Sequence, residues 1–241
     1  LGEAATRTNI HDAQTPKECR YPPLTGIITE AHVRELERQN MVVIKDVLSV
    51  SELRGANQSA RHLSAKMDTS NHQNDADIRQ DHILSIRESD TLDHGDDMTH
   101  CIKLLRGIPY ILNRLGYTNS DPSIVPRQCQ LSRYLPDGSV YVRHLDRCNS
   151  TLGEMGLLGW LRAKDYRHRV VTAILYLNSP QWDNGGELRC FGQDEEIRDV
   201  NPSGGTLILF DSSKVEHQVL PSSNDRYALT CWFNGTMPSP K

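Results

Sequence analysis

The sequence predicts an α+β chain, mainly β, with helices in its first half and a sandwich or jelly-roll barrel in its second. Three observations predict it. Helical apolar patterns occupy the stretch before residue 126; from Arg127 onward the chain breaks into short β-prone runs; and turn clusters separate those runs. The clusters are Pro136-Asp137-Gly138, Asn184-Gly185-Gly186, Pro202-Ser203-Gly204-Gly205 and Pro221-Ser222-Ser223-Asn224. Short strands with such punctuation are the pattern of a two-layered or closed β architecture.

In chain order, residues 1–24 are polar and rich in Thr, Ala and Pro, and read as a partly ordered lead-in. Residues 25–241 read as one domain, with helical support over 25–126 and the β core over 127–234. Thr29 starts a helix through about Gln39 that turns Val33 and Leu36 inward, and Met41 to Leu48 reads as a buried strand. Ser49 or Ser51 can cap the next helix, which carries Leu53, Ala56, Ala60, Leu63 and Met67 at helical spacing. A polar loop, Asp68 to Asp77, precedes a strand or hairpin edge at Ile78 to Ile86. The third helix, Asp96 to Leu115, is built on Met98, Ile102, Leu105, Ile108, Ile111 and Leu112. Pro109 inside it is expected to break or kink it, and Gly116 to stop it. Arg147 to Arg169 is a long loop. Its Leu157, Leu158, Trp160 and Leu161 suit either a lid over a site mouth or a plain surface insertion.

At 241 residues the chain can bury a sizeable core. A net charge of −4 with no long basic run requires neither a nucleic-acid nor a membrane partner. With no secretory h-region and no run of about 18 apolar residues, a soluble monomer of the cytoplasm or nucleus is expected. The six cysteines (Cys19, Cys101, Cys129, Cys148, Cys190, Cys231) are scattered and form no CxxC pair, which favours reduced thiols over a disulfide frame or a zinc site. Cys148 and Cys231 read as inert small hydrophobes. The histidines carry the chemistry.

His144-Leu145-Asp146 is followed by His217 and, nine positions further on, by Arg226. Two imidazoles and a carboxylate can hold Fe(II) on one face and leave the other positions open. The run Tyr141 to Asp146 is β-prone, so alternation sets His144 and Asp146 on the same side. The same period puts Arg226, Ala228, Thr230 and Trp232 on one side of a later strand. If that side faces a pocket, Arg226 needs an anion, because an unpaired buried charge is costly and a ligand carboxylate would satisfy it bidentately.

These residues lie in a longer pattern. Tyr134-Leu135-Pro136-Asp137-Gly138-Ser139-Val140-Tyr141-Val142-Arg143-His144-Leu145-Asp146 leads into the cluster. Arg169-Val170-Val171-Thr172-Ala173-Ile174-Leu175-Tyr176-Leu177-Asn178, Trp182 and Gly185-Gly186-Glu187-Leu188-Arg189 follow, and His217-Gln218-Val219 and Arg226-Tyr227-Ala228-Leu229-Thr230-Cys231-Trp232 close it. Over roughly residues 127–234 this resembles the 2-oxoglutarate- and Fe(II)-dependent dioxygenases, and specifically the prolyl 4-hydroxylases similar to those acting on hypoxia-inducible factor. The resemblance implies a double-stranded β-helix (jelly roll) with N-terminal supporting helices.

It further implies hydroxylation of a proline in a protein substrate, in the setting of oxygen sensing, with Fe(II), 2-oxoglutarate and O2, and with ascorbate as a supporting reductant. The metal ligands fall on His144, Asp146 and His217. Arg226 and Tyr176 fall on the distal carboxylate of 2-oxoglutarate, and Tyr134 near its chelating end. Thr172, Leu188, Val219, Thr230 and Trp232 line the pocket, and Arg79, Asp81 and Arg169 approach the protein substrate. Two departures lie on the substrate side: the loop after His144-Leu145-Asp146 is expanded, and Ser85 stands where an aromatic is expected.

Blander readings stand beside these. His168 is the competing ligand; Arg226 could pair with Glu187, Arg79 with Asp81 as a solvated loop pair, and Tyr176 and Trp232 could be plain core aromatics. Two other functions compete: a 2-oxoglutarate oxygenase with a non-prolyl substrate, and a catalytically silent jelly-roll binding module.

Overall fold

Capping explains where the first helices start. The computed structural model describes residues 24, 26–69, 79–117, 126, 128–150, 153–154, 164–192 and 196–235. Helix α1 (Glu30–Gln39) is capped by Thr29, whose hydroxyl accepts from the His32 amide while His32 Nδ1 accepts from the Thr29 amide. Helix α2 (Val50–Leu63) repeats the arrangement with Ser49 and Glu52. Each box satisfies amides that the first turn leaves without partners.

Helix α3 (Thr91–Arg114) is broken at Gly95, with φ of 75°, and then runs through Pro109. This corrects the break or kink expected at Pro109. Leu105, Ile108 and Leu112 are each fully buried, and burial of such side chains at about 1.5–3 kcal/mol apiece outweighs the ~3 kcal/mol proline cost. A further helix, α4 (Lys164–Arg167), is short.

The strands are β1 (Met41–Ile44), β2 (Asp68–Thr69), β3 (His82–Arg87), β4 (Gln128–Tyr134), β5 (Tyr141–His144), β6 (Arg169–Tyr176), β7 (Leu188–Phe191), β8 (Ile197–Val200), β9 (Leu207–Asp211), β10 (Glu216–Val219) and β11 (Arg226–Asn234). They make a seven-stranded sheet, ordered β1-β9-β6-β11-β4-β3-β2, and a four-stranded sheet, ordered β5-β10-β7-β8. Every pairing is antiparallel. Two facing antiparallel sheets backed by helices constitute the jelly roll expected for this chain.

Alternation divides the larger sheet into two faces. On β11, Tyr227, Leu229, Cys231 and Phe233 join the core shared with the helices, while Ala228 belongs to the apolar layer between the sheets. On β6, Ala173 and Leu175 face the helices, whereas Ile174 and Tyr176 face the smaller sheet. One face therefore stabilises the fold, and the other is left to line a cavity.

Several expected boundaries move. β1 ends at Ile44 rather than Leu48, because Asp46 takes a φ of 56° and turns the chain so that the Val47 amide bonds Gly205. Asp68 and Thr69, expected in a loop, pair with β3 instead. Arg79 precedes β3 and bridges to Tyr141. Of the 1–24 lead-in only Leu24 lies within the described residues, and Leu157, Leu158, Trp160, Leu161 and Cys19 lie outside them. No disulfide joins the five described cysteines, and no described helix is long and apolar enough to cross a membrane.

The turn before β9 packs against the end of β6. A Cβ on Gly204 would lie 1.9 Å from the Asn178 carbonyl oxygen, and the Gly204 amide donates to Ser179. Gly204→Ala should therefore destabilise the fold by ~1–3 kcal/mol through overpacking. Urea unfolding checks this, and an unchanged midpoint would show that the turn yields freely.

Candidate active site

The smaller sheet brings the two histidines together. His217 on β10 and His144 at the end of β5 are register partners, with ring centroids 4.2 Å apart. Asp146 lies two residues past the end of β5, so it does not share the strand as alternation predicts; it reaches the histidines from the turn that follows. Ligand atoms of His144, Asp146 and His217 all fall within 4.8 Å of one another, and His168 has no place among them. Asp146 lies 3.8 Å from the Nε2 of each histidine, one carboxylate oxygen facing each.

Backbone carbonyls decide the tautomers. His144 Nδ1 lies 2.7 Å from the Val142 oxygen, and His217 Nδ1 lies 3.2 Å from the Val215 oxygen. A carbonyl only accepts, so each Nδ1 carries the proton and each Nε2 keeps its lone pair for a metal. Burial, followed by the neighbouring His217, pushes His144 down to about 4 and keeps it neutral, as a ligand must be. Burial works to raise the Asp146 carboxyl, but His217, His144, Arg169 and Thr172 together hold it below its usual range.

The larger sheet anchors Asp146. Thr172 on β6 is fully buried and donates to Asp146 at 2.7 Å, and it lies 2.8 Å from the Ser212 hydroxyl. A hydroxyl has one proton, so Ser212 must donate to Thr172 and Thr172 to Asp146. Thr172, expected among the co-substrate-binding residues, directs its hydroxyl to the Asp146 carboxylate.

A cavity of about 710 Å³ opens between the sheets beside these residues. Tyr134, Leu188, Val219, Arg226, Thr230 and Trp232 line it, with Arg79 and Arg169 among its other lining residues. Arg226, at the start of β11, is 2% exposed; its Nε donates to the Gly186 carbonyl at 2.7 Å, and its guanidinium lies 5.0 Å from the Tyr134 and Tyr176 rings. No carboxylate pairs with it among the described residues, Glu187 included. Tyr176 is fully buried beside that guanidinium, and its hydroxyl lacks a well-formed hydrogen bond. Burial pushes its phenol up to about 12, against the pull of Arg226.

Arg79 and Asp81 are no solvated pair. Asp81 is 1% exposed and binds Arg79 bidentately at 2.5 and 2.8 Å. Asp81 is thus withdrawn from the cavity, and Arg79 alone of the two lines it, its guanidinium 4.9 Å from the Tyr141 ring. Arg169 is held between Trp232 at 4.1 Å and Tyr166 at 4.4 Å.

Sequence reasoning missed Tyr141, Ser212 and the part played by Gly186. Tyr141 stacks on His144 with centroids 3.6 Å apart. In a regular strand, residues three apart face opposite ways, but a register shift between His217 and Val219 absorbs one residue and turns both rings inward. Gly186, with φ of 72°, would place a Cβ 2.9 Å from Arg226 Cδ; only glycine lets this backbone approach the guanidinium. The Gly-Gly turn was the available signal for it. Ser212 had none.

A triad able to hold a metal and an unneutralised cation thus face one cavity. Residues 129–234 match the family model of the 2OG-Fe(II) oxygenase superfamily. The chain is similar to human prolyl hydroxylase EGLN3, 35% identical over 105 residues that make up 42% of this chain and 37% of the relative. It is also similar to human Egl nine homolog 1, at 33% over 105 residues, 42% of this chain and 21% of the relative. The matched stretch thus spans well under half the length of these curated relatives.

Among solved structures, a Pseudomonas putida prolyl-4-hydroxylase is similar with a TM-score of 0.68 and 26% identity, covering 86% of this chain and 99% of that one. A Trichoplax adhaerens prolyl hydroxylase, solved with a hypoxia-inducible-factor oxygen degradation domain peptide, shares the fold with a TM-score of 0.66 and 22% identity, covering 88% and 89%. The residues present fit the superfamily's Fe(II) and 2-oxoglutarate: the lone pairs face one point, and the buried cation lacks the carboxylate that 2-oxoglutarate would bring.

Because Thr172 orients a metal ligand, Thr172→Val should weaken Fe(II) or Co(II) binding by ~10–100-fold, with Thr172→Ser close to the parent. Anaerobic metal titration reads the effect, and equal affinities for Val and Ser variants would remove Thr172 from the site.

Proposed function

We propose that this protein is a prolyl 4-hydroxylase that uses Fe(II), 2-oxoglutarate and O2 to hydroxylate a proline in a protein substrate. One observation carries the reading: Arg226, 2% exposed and without a carboxylate partner among the described residues, faces the same cavity as the His144, Asp146 and His217 ligand atoms. Leaving a guanidinium so placed without an anion is costly, and a dicarboxylate that also chelates a metal would resolve both needs. Proline as the target is supported by the similarity to relatives named as prolyl hydroxylases.

When bound, Fe(II) and 2-oxoglutarate supply the oxidising chemistry that places one oxygen atom of O2 on carbon and releases succinate and carbon dioxide. The chain's residues position and insulate that chemistry. His144, Asp146 and His217 would hold the ion. Arg226 would bind the distal carboxylate and the Tyr176 hydroxyl would donate to it, with the Tyr134 ring also beside the guanidinium. Ile174, Leu188, Val219 and Ala228 make the walls apolar, which excludes water and strengthens the charge pairing. Arg79 and Arg169 would meet the substrate, Asp81 fixing Arg79. None of these groups acts as an acid or base.

Arg226→Ala should weaken 2-oxoglutarate binding by ~2–5 kcal/mol, since truncation strands a carboxylate in an apolar site; isothermal titration on the metal-loaded protein measures it. His217→Ala should abolish turnover while the fold persists by circular dichroism. Proline-peptide-stimulated succinate release, together with a mass gain of one oxygen atom on the peptide, tests the reaction itself. Succinate formed with no peptide oxidised under any sequence would remove proline from the assignment.

A further inference from the structure

We propose that a row of polar side chains crossing the larger sheet forms a subsite for a neutral hydrogen-bonding side chain of the substrate; this rests on the peptide-hydroxylase reading above. On the cavity face, Thr230 of β11 pairs in register with Gln130 of β4, and Gln130 with Ser85 of β3. Ser132 lies next to Gln130 along β4 on the same face, and all four line the cavity. Cross-strand neighbours are spaced ~5 Å apart, so the row leads ~10 Å sideways from β11, away from β6, whose Thr172 donates to Asp146.

The groups in this row are under-used. Gln130 Nε2 donates to the Ser132 hydroxyl at 3.0 Å, which leaves the Ser132 proton and the Gln130 Oε1 to spare. Among the described residues, the Thr230 and Ser85 hydroxyls bond to no protein group. Thr230 and Ser132 are 8% and 4% exposed, so they reach little beyond the cavity itself. The row therefore presents three hydroxyl donors and one amide acceptor to whatever enters. An apolar group there would strand them, whereas an amide or hydroxyl would satisfy them.

Charge plays little part in the row. Asp68 lies at its exposed rim, and Arg79 is already paired with Asp81. Selection should thus favour Gln, Asn, Ser or Thr near the target residue over Leu, and also over Lys.

The test uses the full chain with Fe(II) and 2-oxoglutarate on proline peptides in which each flanking position carries Gln, Leu or Lys. At one position Gln is expected to exceed Leu by about tenfold in kcat/KM. Gln130→Met, with Ser85→Leu as a second variant, should remove or reverse that preference while leaving the 2-oxoglutarate-induced thermal shift as in the parent. Equal rates for Gln and Leu at every position, or a Lys preference lost with Asp68→Asn, would overturn the subsite. If no peptide is oxidised, the reaction assignment fails by itself, and the subsite is read separately by ligand-observed NMR on Zn(II)-loaded protein. N-acetylglutaminamide should then bind better than N-acetylleucinamide in the parent but not in Gln130→Met; equal binding of the two probes overturns it.

Discussion

The guanidinium of Arg226 is the constraint around which the cavity is organised. It sits 2% exposed between two tyrosine rings, with a backbone carbonyl as its partner and no carboxylate beside it among the described residues. A charge so placed persists only if the rest of the fold is stable enough to hold it and if a ligand relieves it. The helix-backed core supplies the first condition. An anion would meet the second, and the apolar side chains beside Arg226 would strengthen that pairing by lowering the local dielectric.

The metal-binding residues depend on both sheets. His144 and His217 pair across the smaller one, while Asp146 is tied through Thr172 and Ser212 to the larger one. The triad thus spans the gap between layers, and its geometry reports how well they pack. Tyr141, stacked between His144 and Arg79, adds a lateral support that continues through the buried Arg79–Asp81 pair.

Much of this was legible beforehand because it follows period-2 alternation and capping chemistry. The helix starts at Thr29 and Ser49, the helical apolar faces, the turn clusters and the inward set Arg226, Ala228, Thr230 and Trp232 all depend on residues close in sequence. What was not legible depends on register. No local signal announced that a bulge opposite Val219 would turn Tyr141 to the same side as His144, or that Asp146 would act from beyond its strand. Alternation puts Thr172 on the same face as Tyr176, but that its hydroxyl goes to Asp146 depends on the turn after β5.

By itself, then, the sequence determined the element types, the two-faced strands and the donor set of two imidazoles, one carboxylate and one guanidinium, since each is a property of residue identity at short spacing. Tertiary structure alone decided which of those groups meet. It joined His144 to His217 across 73 positions, passed a helix through Pro109, withdrew Asp81 from the cavity and left the hydroxyls beside Gln130 facing it. The reason is physical: backbone preferences act over a few residues, whereas burial and hydrogen-bond satisfaction are settled only when distant strands are brought into register.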